Sequence, residues 1–533
     1  MRPPSPLERR AYSLQSLANQ TFDILVIGGG ITGAGIARRA AWQQLNTCQV
    51  EQNDFASGTS SRSTKLLHGG LRYLEQFQFG LVSEAVRERM SGYDLAPHLV
   101  RPLPFVFPRY KGDKPGMTKL GIGLWIYDAM ARFKSFGKRQ RLSAEDLQSR
   151  LPQLRTDELK GAWQYFDAQT NDARLTLEAV LDAEALGATV FNRLQLENAR
   201  RDGDAWVCGV RNFDGTVLEI RARRVAIATG VWLGETAKIF GATDPPRLRP
   251  TKGVHVHVSD ERLQLDAAVV MTHPKDRRLM FAIPVENGVM IGTTDDEFDA
   301  VADEFDVTTA EVEYLLDAVN HYFPRAGITP ADVHSAYAGL RPLLDDGTCS
   351  SSKVSREHAV IEIAEDVWGI GGGKLTTWRV MADDLLRAAL GSLQSGDYNE
   401  RPLPGGRGIA GREQLDNSIA EFATAHGISE KAATTMLFTY GARADEAIGN
   451  CRETIGSLEL PVSALTYAVT NEHALTLDDL LRRRTRLYYT EPDQARSLAA
   501  AAADAVAPLL GWDGDAVQRE IDDYTAMCKR YDG

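Results

Sequence analysis

Apolar residues recur at two different spacings along this chain, and each change of spacing predicts a change of element. Phe22-Asp23-Ile24-Leu25-Val26-Ile27 is a β-type run leading straight into Gly28-Gly29-Gly30-Ile31-Thr32-Gly33-Ala34-Gly35 and an alanine-rich helical stretch. The pattern predicts a strand, a glycine turn and a helix, with Thr47-Cys48-Gln49-Val50 as the next strand. From Asp172 to Gly187 the positions Ala173, Leu175, Leu177, Val180, Leu181 and Leu186 predict an amphipathic helix. Short β-type runs follow at 206–210, 217–220 and 224–228, the last closing on Ala228-Thr229-Gly230. Alternation from Gly253 to Gly292 predicts an antiparallel sheet, and a helix is expected near Thr308–Phe323. Trp368-Gly369-Ile370-Gly371-Gly372-Gly373-Lys374 then opens a helix at about Leu375–Leu390. Residues 393–411, rich in Gly, Ser, Pro, Asn and Arg, predict a linker, and helical spacing continues to the C-terminus.

The first turn has the form of a pyrophosphate grip. Gly28 permits the tight turn, Gly30 offers no Cβ to block a phosphate, and Gly33 lets the helix pack closely on the strand. The anion then sits at the helix N-terminus, which also brings Ile31 and Thr32 to the ligand. Glu51 lies 23 residues after Gly28, where a βαβ unit presents an acid to a ribose hydroxyl. The last pieces of the fold arrive near residue 370, with a sheet inserted between. That is the arrangement of two-domain flavoproteins, so FAD is expected rather than NAD. The fold class expected is α/β: a Rossmann-like FAD-binding domain with an inserted antiparallel-sheet substrate domain, plus an all-α C-terminal domain. The FAD-binding parts are expected at about 21–80, 165–240 and 335–392, and the substrate parts at about 81–164 and 241–334. Residues 1–20 form an N-terminal extension, 21–392 the oxidoreductase region, 393–411 the linker and 412–533 the helical domain.

Composition narrows the class. A chain of 533 residues exceeds one ordinary core. Its net charge of −12 argues against nucleic acid as a partner. The five cysteines are scattered with no Cys-x-x-Cys, which removes zinc, iron–sulfur and dithiol chemistry, and no metal is expected. No apolar h-region opens the chain and no run approaches the ~20 residues of a membrane span, so a cytoplasmic protein is expected.

The densest polar loop runs from Ser57 to Tyr73. Its hydroxyls and amides suit a diphosphate and a flavin ring, and His68 and Arg72 stand one helical turn apart. Here the chain resembles a known family. Gly28–Gly35, the run Ser60-Ser61-Arg62-Ser63-Thr64-Lys65-Leu66-Leu67-His68-Gly69-Gly70-Leu71-Arg72-Tyr73-Leu74-Glu75, and Ile291-Gly292-Thr293-Thr294-Asp295 are similar to the FAD-dependent glycerol-3-phosphate dehydrogenases of the aerobic, respiratory type. So are Gly339-Leu340-Arg341-Pro342-Leu343, Gly372-Gly373-Lys374-Leu375-Thr376-Thr377 and, further on, Leu477-Asp478-Asp479-Leu480-Leu481-Arg482-Arg483-Arg484-Thr485-Arg486.

The resemblance implies oxidation of sn-glycerol 3-phosphate to dihydroxyacetone phosphate, with hydride passing from C2 to flavin N5 and electrons passing on to a membrane quinone. It makes Arg341 and Arg356 the arginines for the substrate phosphate, a role that suits their fork-shaped donors. Arg72, Tyr73, Thr294 and Lys374 complete the implied substrate site. His255 is the first candidate for general base, since an imidazole suits proton removal near neutral pH, and His68 is the second. Beside Gly28, Gly30, Ile31, Thr32, Gly33 and Glu51, the expected cofactor contacts are Thr59, Ser60, Ser61, Lys65, Leu66, His68, Gly69, Gly70, Ala228, Thr229, Gly230, Gly373, Lys374, Leu375 and Thr376. A homodimer is also expected.

From Arg101 to Arg141 ten Lys and Arg face only Asp113 and Asp128, around Leu120-Gly121-Ile122-Gly123-Leu124-Trp125-Ile126-Tyr127. This predicts docking on an anionic membrane surface, on the inner face of the cell membrane, where a quinone is reached. The alternative is a buried helix with a solvated basic rim. The rival functions are an oxidase that uses oxygen and an amino-acid oxidase-like flavoenzyme. An RNA-acting flavoprotein would call for a more basic C-terminal domain than this one.

Overall fold

In a computed structural model of the protein, the described residues are 5–75, 78–132, 135–298, 305–345 and 357–531. Thr21–Ile27 is the inner strand of an eight-stranded sheet. Its neighbours on one side are Val217–Ile227, Val367–Gly372 and His358–Ala364, and on the other Thr47–Val50 and Thr189–Phe191. The pairings from Val367–Gly372 across to Thr189–Phe191 are parallel, and the His358–Ala364 edge is antiparallel. A parallel sheet is covered on both faces, which explains the nearly unbroken apolar run. Ile24 and Val26 enter a core shared with helices Ile31–Trp42, Asp172–Ala185 and Trp378–Leu390. Leu25 and Ile27 enter another with Leu14, Leu17, Trp206 and Phe240.

The two β-type runs expected at 217–220 and 224–228 are one strand, Val217–Ile227. The intervening Arg221 and Arg223 occupy its outward positions and pair with Asp202 and Asp23, while Ile220 and Ala222 point inward. Charge there does not interrupt the strand because the period of two is kept. Its first half pairs antiparallel with Ala205–Asn212 and its last third parallel with Val367–Gly372.

The second sheet has ten strands, drawn from residues 66–170 and 251–341. Each set is antiparallel within itself. They join edge to edge through Ala268–Thr272 against Val100–Tyr110, and that one seam is parallel. The long strand Thr251–Val258 lies between Val333–Arg341 and Gly288–Gly292, which sets His255 opposite Tyr337 and Gly292, and Thr251 opposite Arg341.

Beyond Arg412 the described chain is helical apart from a two-residue ladder, Thr454–Ile455 with Leu460–Pro461. The segment 393–411 is packed down on the first domain: Leu403 N–H donates to Leu95 O, Gly405 N–H to Glu178, and Arg38 to Arg401 O. Helix Asp172–Ala185 is buried on every side, because its polar face meets charged partners rather than water. Arg174 makes a two-pronged bond to Glu472, and Glu178 meets Arg443. The first helix, Pro6–Leu17, has a full capping box between Ser5 and Glu8 and packs against the same molecule. No helix among the described residues is long and apolar enough to cross a membrane.

Candidate active site

Gly28 and Gly30 keep this turn free of side chains, and a Cβ at Gly30 would meet Ser60 Oγ at 3.1 Å. Gly28 sits at φ +115°, and a Cβ there would lie 2.4 Å from Ala228 O. At Gly33 a Cβ would stand 2.0 Å from Gly28 O, so this glycine sets helix-to-turn packing rather than ligand contact. The helix Ile31–Trp42 starts at Gly30 with no side-chain cap, and Ile31 N–H donates to Ser60 Oγ at 2.9 Å.

A long cleft opens over this turn. Of the residues expected at the cofactor, Gly28, Gly30, Ile31, Thr32, Glu51, Thr59, Ser60, Ala228, Thr229, Gly230, Gly373, Lys374 and Leu375 line it. Gly33, Ser61, Lys65, Leu66, His68, Gly69, Gly70 and Thr376 do not. Lys65 is buried on Asp172 (2.7 Å) and donates to Ser61 O, while Ser63 gives the same carboxylate both its N–H and its hydroxyl. Thr376 Oγ1 accepts His68 N–H at 3.2 Å, and Gly69 N–H donates to Tyr127 Oη at 2.8 Å. Gln52, Asn53, Leu194, Trp232, Pro342 and Met381 also line the cleft. Trp232 follows the Ala228-Thr229-Gly230 turn by two residues, which is the one signal the sequence offered for it.

Glu51 accepts Gly29 N–H at 2.6 Å and Asn53 N–H at 2.8 Å, so its carboxylate ties the glycine turn to the next segment. Burial raises its pKa against the pull of these two donors.

The polar loop meets the second sheet directly. Thr59 donates to Leu340 O, Tyr337 Oη donates to Ser63 O, and Thr64 Oγ1 lies 3.0 Å from His255 Nε2. His255 is 2% exposed and stacks on Tyr337 at 4.9 Å. Its Nδ1 has no hydrogen-bond partner among the described residues. Burial first, then Arg341, Lys65 and His257, push its pKa well down and keep the ring neutral. Thr64 was not singled out in the sequence, where it reads as one hydroxyl among several.

Arg341 lies across Gly253, where a Cβ would meet its Nη2 at 2.5 Å. Its guanidinium holds Asp295 at 3.0 Å, Thr251 and Thr293 hydroxyls, and Thr294 O. Thr294 itself is 1% exposed, with its hydroxyl accepting Val254 N–H. Lys374 Nζ stands 3.9 Å over the Tyr73 ring. The two cations come from segments that are hydrogen-bonded together, Gly372 N–H to Pro342 O at 3.0 Å. Arg356 lies outside the described residues, as does the Arg72 side chain, whose backbone starts the helix Arg72–Glu75. Among the described residues no group of His, Cys, Asp and Glu is arranged to hold a metal.

Comparison with known proteins agrees with this geometry. Residues 23–376 match the FAD dependent oxidoreductase family, and residues 399–517 match the C-terminal domain of alpha-glycerophosphate oxidase. The chain is 38% identical over 544 residues to glycerol-3-phosphate dehydrogenase of Mycobacterium leprae (strain TN), covering 98% of this chain and 90% of that one. It is 34% identical over 522 residues to aerobic glycerol-3-phosphate dehydrogenase of Staphylococcus aureus (strain USA300), covering 95% and 94%. The chain belongs to the FAD-dependent glycerol-3-phosphate dehydrogenase family. The glycerol-3-phosphate dehydrogenase from Bacillus halodurans complexed with FAD superposes with a TM-score of 0.82 at 28% identity, over 99% of this chain and 98% of that one. L-alpha-glycerophosphate oxidase from Mycoplasma pneumoniae, at 16% identity and a TM-score of 0.56, shares the fold over 72% of this chain and 98% of its own.

As a member of this family the chain carries FAD. The residues fit it. The glycine turn, the N-terminus of helix Ile31–Trp42 and Glu51 suit an ADP moiety, and the backbone from Gly371 to Leu375 suits the far end of a long ligand.

Proposed function

We propose that the chain oxidises sn-glycerol 3-phosphate to dihydroxyacetone phosphate and delivers the electrons to a membrane quinone. The observation that carries this reading is the pair of cations, Arg341 and Lys374, on hydrogen-bonded segments whose Pro342 and Lys374 line the cleft. A phosphate dianion needs more positive charge than one carboxylate does, and a guanidinium offers it two parallel donors. The contacts of Arg341 with Asp295 and Thr293 hold the fork in place before substrate arrives. When bound, FAD would supply the two-electron acceptor, N5, for the hydride that leaves substrate C2. His255 takes the hydroxyl proton. With its Nε2–H donating to Thr64 the Nδ1 lone pair is left open, and the lowered pKa keeps the ring neutral and able to accept.

The route to quinone is supported by one surface. Helix Met117–Met130 buries Leu120, Leu124 and Tyr127 and leaves Ile122 58% and Trp125 51% exposed. Lys111, Lys114, Lys119, Arg132, Lys138 and Arg141 are exposed around it. Not every cation of the 101–141 run belongs to this face. Arg109 is buried over Phe107, Arg101 bonds Gln169, and Arg139 pairs with Asp128, while Lys134 lies outside the described residues. An exposed apolar helix face ringed by cations on a net-acidic protein suits anionic lipid, which supports reading the enzyme as a peripheral protein of the inner membrane face.

Turnover with a dye acceptor tests the substrate. Glycerol 3-phosphate is expected to be oxidised, with glycerol and D-amino acids inert; oxidation of an amino acid at a similar rate contradicts the proposal. A soluble quinone reduced faster than hydrogen peroxide forms identifies the dehydrogenase reaction, and the reverse identifies the oxidase.

A further inference from the structure

The segment that follows Glu51 is held from behind by the C-terminal domain. Asp54, three residues after Glu51, is fully buried and is absent from the cleft that Glu51, Gln52, Asn53 and Ser57 line. Its carboxylate takes a two-pronged contact from Arg484, Nη1 at 2.7 Å and Nη2 at 2.8 Å, and a third bond from Arg483 Nε at 2.6 Å. Both arginines stand on one π-helical turn, Asp479–Arg484, some 430 residues along the chain. Arg484 is in turn fixed by Glu472 O, and Arg483 by Asp479. Burial alone would raise the Asp54 pKa, and the two arginines overcome it and drive it well below the usual carboxylate range. A second strut is parallel: Arg193 N–H donates to Asn53 O at 2.7 Å, and Arg193 Nη2 reaches Asp479 at 2.7 Å.

The segment that carries Asp54 lies against the cofactor cleft, while its carboxylate also accepts Asn192 Nδ2–H at 3.0 Å from outside it. Ser57 N–H donates to Asp54 O, and Ala56 N–H donates to Gly29 O in the glycine turn. Glu51 bonds Gly29 N–H from the other end of the same segment. The segment 51–57 thus forms the wall at the ribose end of the cleft, with the Asp54 carboxylate fully buried behind it.

We propose that Arg484, with Arg483, is a positioning residue for FAD: the C-terminal domain acts through Asp54 to lock the segment 51–57 in its binding shape and so retains the cofactor. The proposal rests on FAD as cofactor and is independent of the substrate and the electron acceptor. A buried bidentate ion pair has a fixed geometry, so removing one side both frees the segment and strands a charge.

The test measures FAD release from full-length holoenzyme on dilution, followed by the rise of flavin fluorescence. Arg484→Met is expected to release FAD at least tenfold faster than wild type, with KM for glycerol 3-phosphate unchanged in excess FAD. Arg484→Lys keeps the charge without the fork and is expected to fall between, at about three- to tenfold, which carries the test should the methionine variant fail to fold. Arg443→Met removes the interdomain pair with Glu178 and a contact with the Glu472 carboxylate, neither of which touches the segment 51–57, and is expected to stay within about twofold of wild type. Release within twofold of wild type in the Arg484 variants overturns the proposal. So does equal acceleration in Arg443→Met, which would make cofactor loss a property of the whole domain seam.

Discussion

His255 and His257 share one strand face, and burial removes both from ordinary imidazole behaviour. His257 stacks on Tyr489, and burial with Lys65 and His334 nearby brings its pKa down to about 3 despite the opposing Glu286. The sign follows from linkage. The unfolded chain binds a proton at this site near pH 6.5 and the folded chain does not, so the neutral ring contributes stability that is complete above pH 6.5 and is lost as pH falls toward 3. Between pH 6.5 and 5 the loss from this group is roughly 2 kcal/mol. Thermal melts of His257→Asn are expected to fall less steeply over that interval than those of wild type; parallel slopes contradict the account. The sequence placed both histidines on the strand, but periodicity does not report burial on both faces of a sheet. For that reason the burial of His255 was not legible from the alternation. Arg341 was legible because its neighbours are a recognisable run. Asp54 was not, because nothing near it in sequence says that its partners are Arg483 and Arg484.

Helix Asp172–Ala185 shows what an amphipathic pattern leaves open. The apolar spacing predicts a helix from about Asp172 to Gly187 and its apolar core face, but the same charges suit water or a charged partner. Here they meet Glu472 and Arg443 of the C-terminal domain and, at Asp182, Arg38 and Arg407. Cutting one side of such a buried pair leaves a charge uncompensated, at a cost of about 3–5 kcal/mol. Arg174→Met is therefore expected to destabilise the holoenzyme by that amount in denaturant unfolding, and a change under 1 kcal/mol would contradict the buried seam. Similarly, the second sheet was legible strand by strand, but its parallel seam was not. Strand alternation carries no information about which edge of one antiparallel set meets the next.

The whole molecule joins a cofactor cleft, a second sheet and a helical domain, and helix Met117–Met130 presents an exposed apolar face, Ile122 and Trp125, among exposed cations. If that face docks on lipid, wild-type protein is expected to float with vesicles containing anionic lipid and to remain in solution with neutral vesicles. The triple variant Lys114→Gln, Lys119→Gln and Lys138→Gln should lose most of this association, and Ile122→Glu with Trp125→Ala should lose it at any lipid charge. Association that is indifferent to lipid charge and to these substitutions contradicts docking through helix Met117–Met130. Sequence located the face through its run of cations, but only the fold separates the six exposed cations from Arg101, Arg109 and Arg139.

The central claim is that the cations beside the flavin select a phosphate-bearing substrate. Anaerobic stopped-flow bleaching of the bound flavin by glycerol 3-phosphate tests it most directly, comparing wild type with Arg341→Ala. Wild-type flavin is expected to bleach with saturating dependence on substrate. In Arg341→Ala the half-saturating concentration is expected to rise roughly 10- to 100-fold, the loss of one or two charge-assisted hydrogen bonds, with FAD content unchanged. No bleaching of the wild-type flavin, or unchanged half-saturation in the variant, would contradict the account.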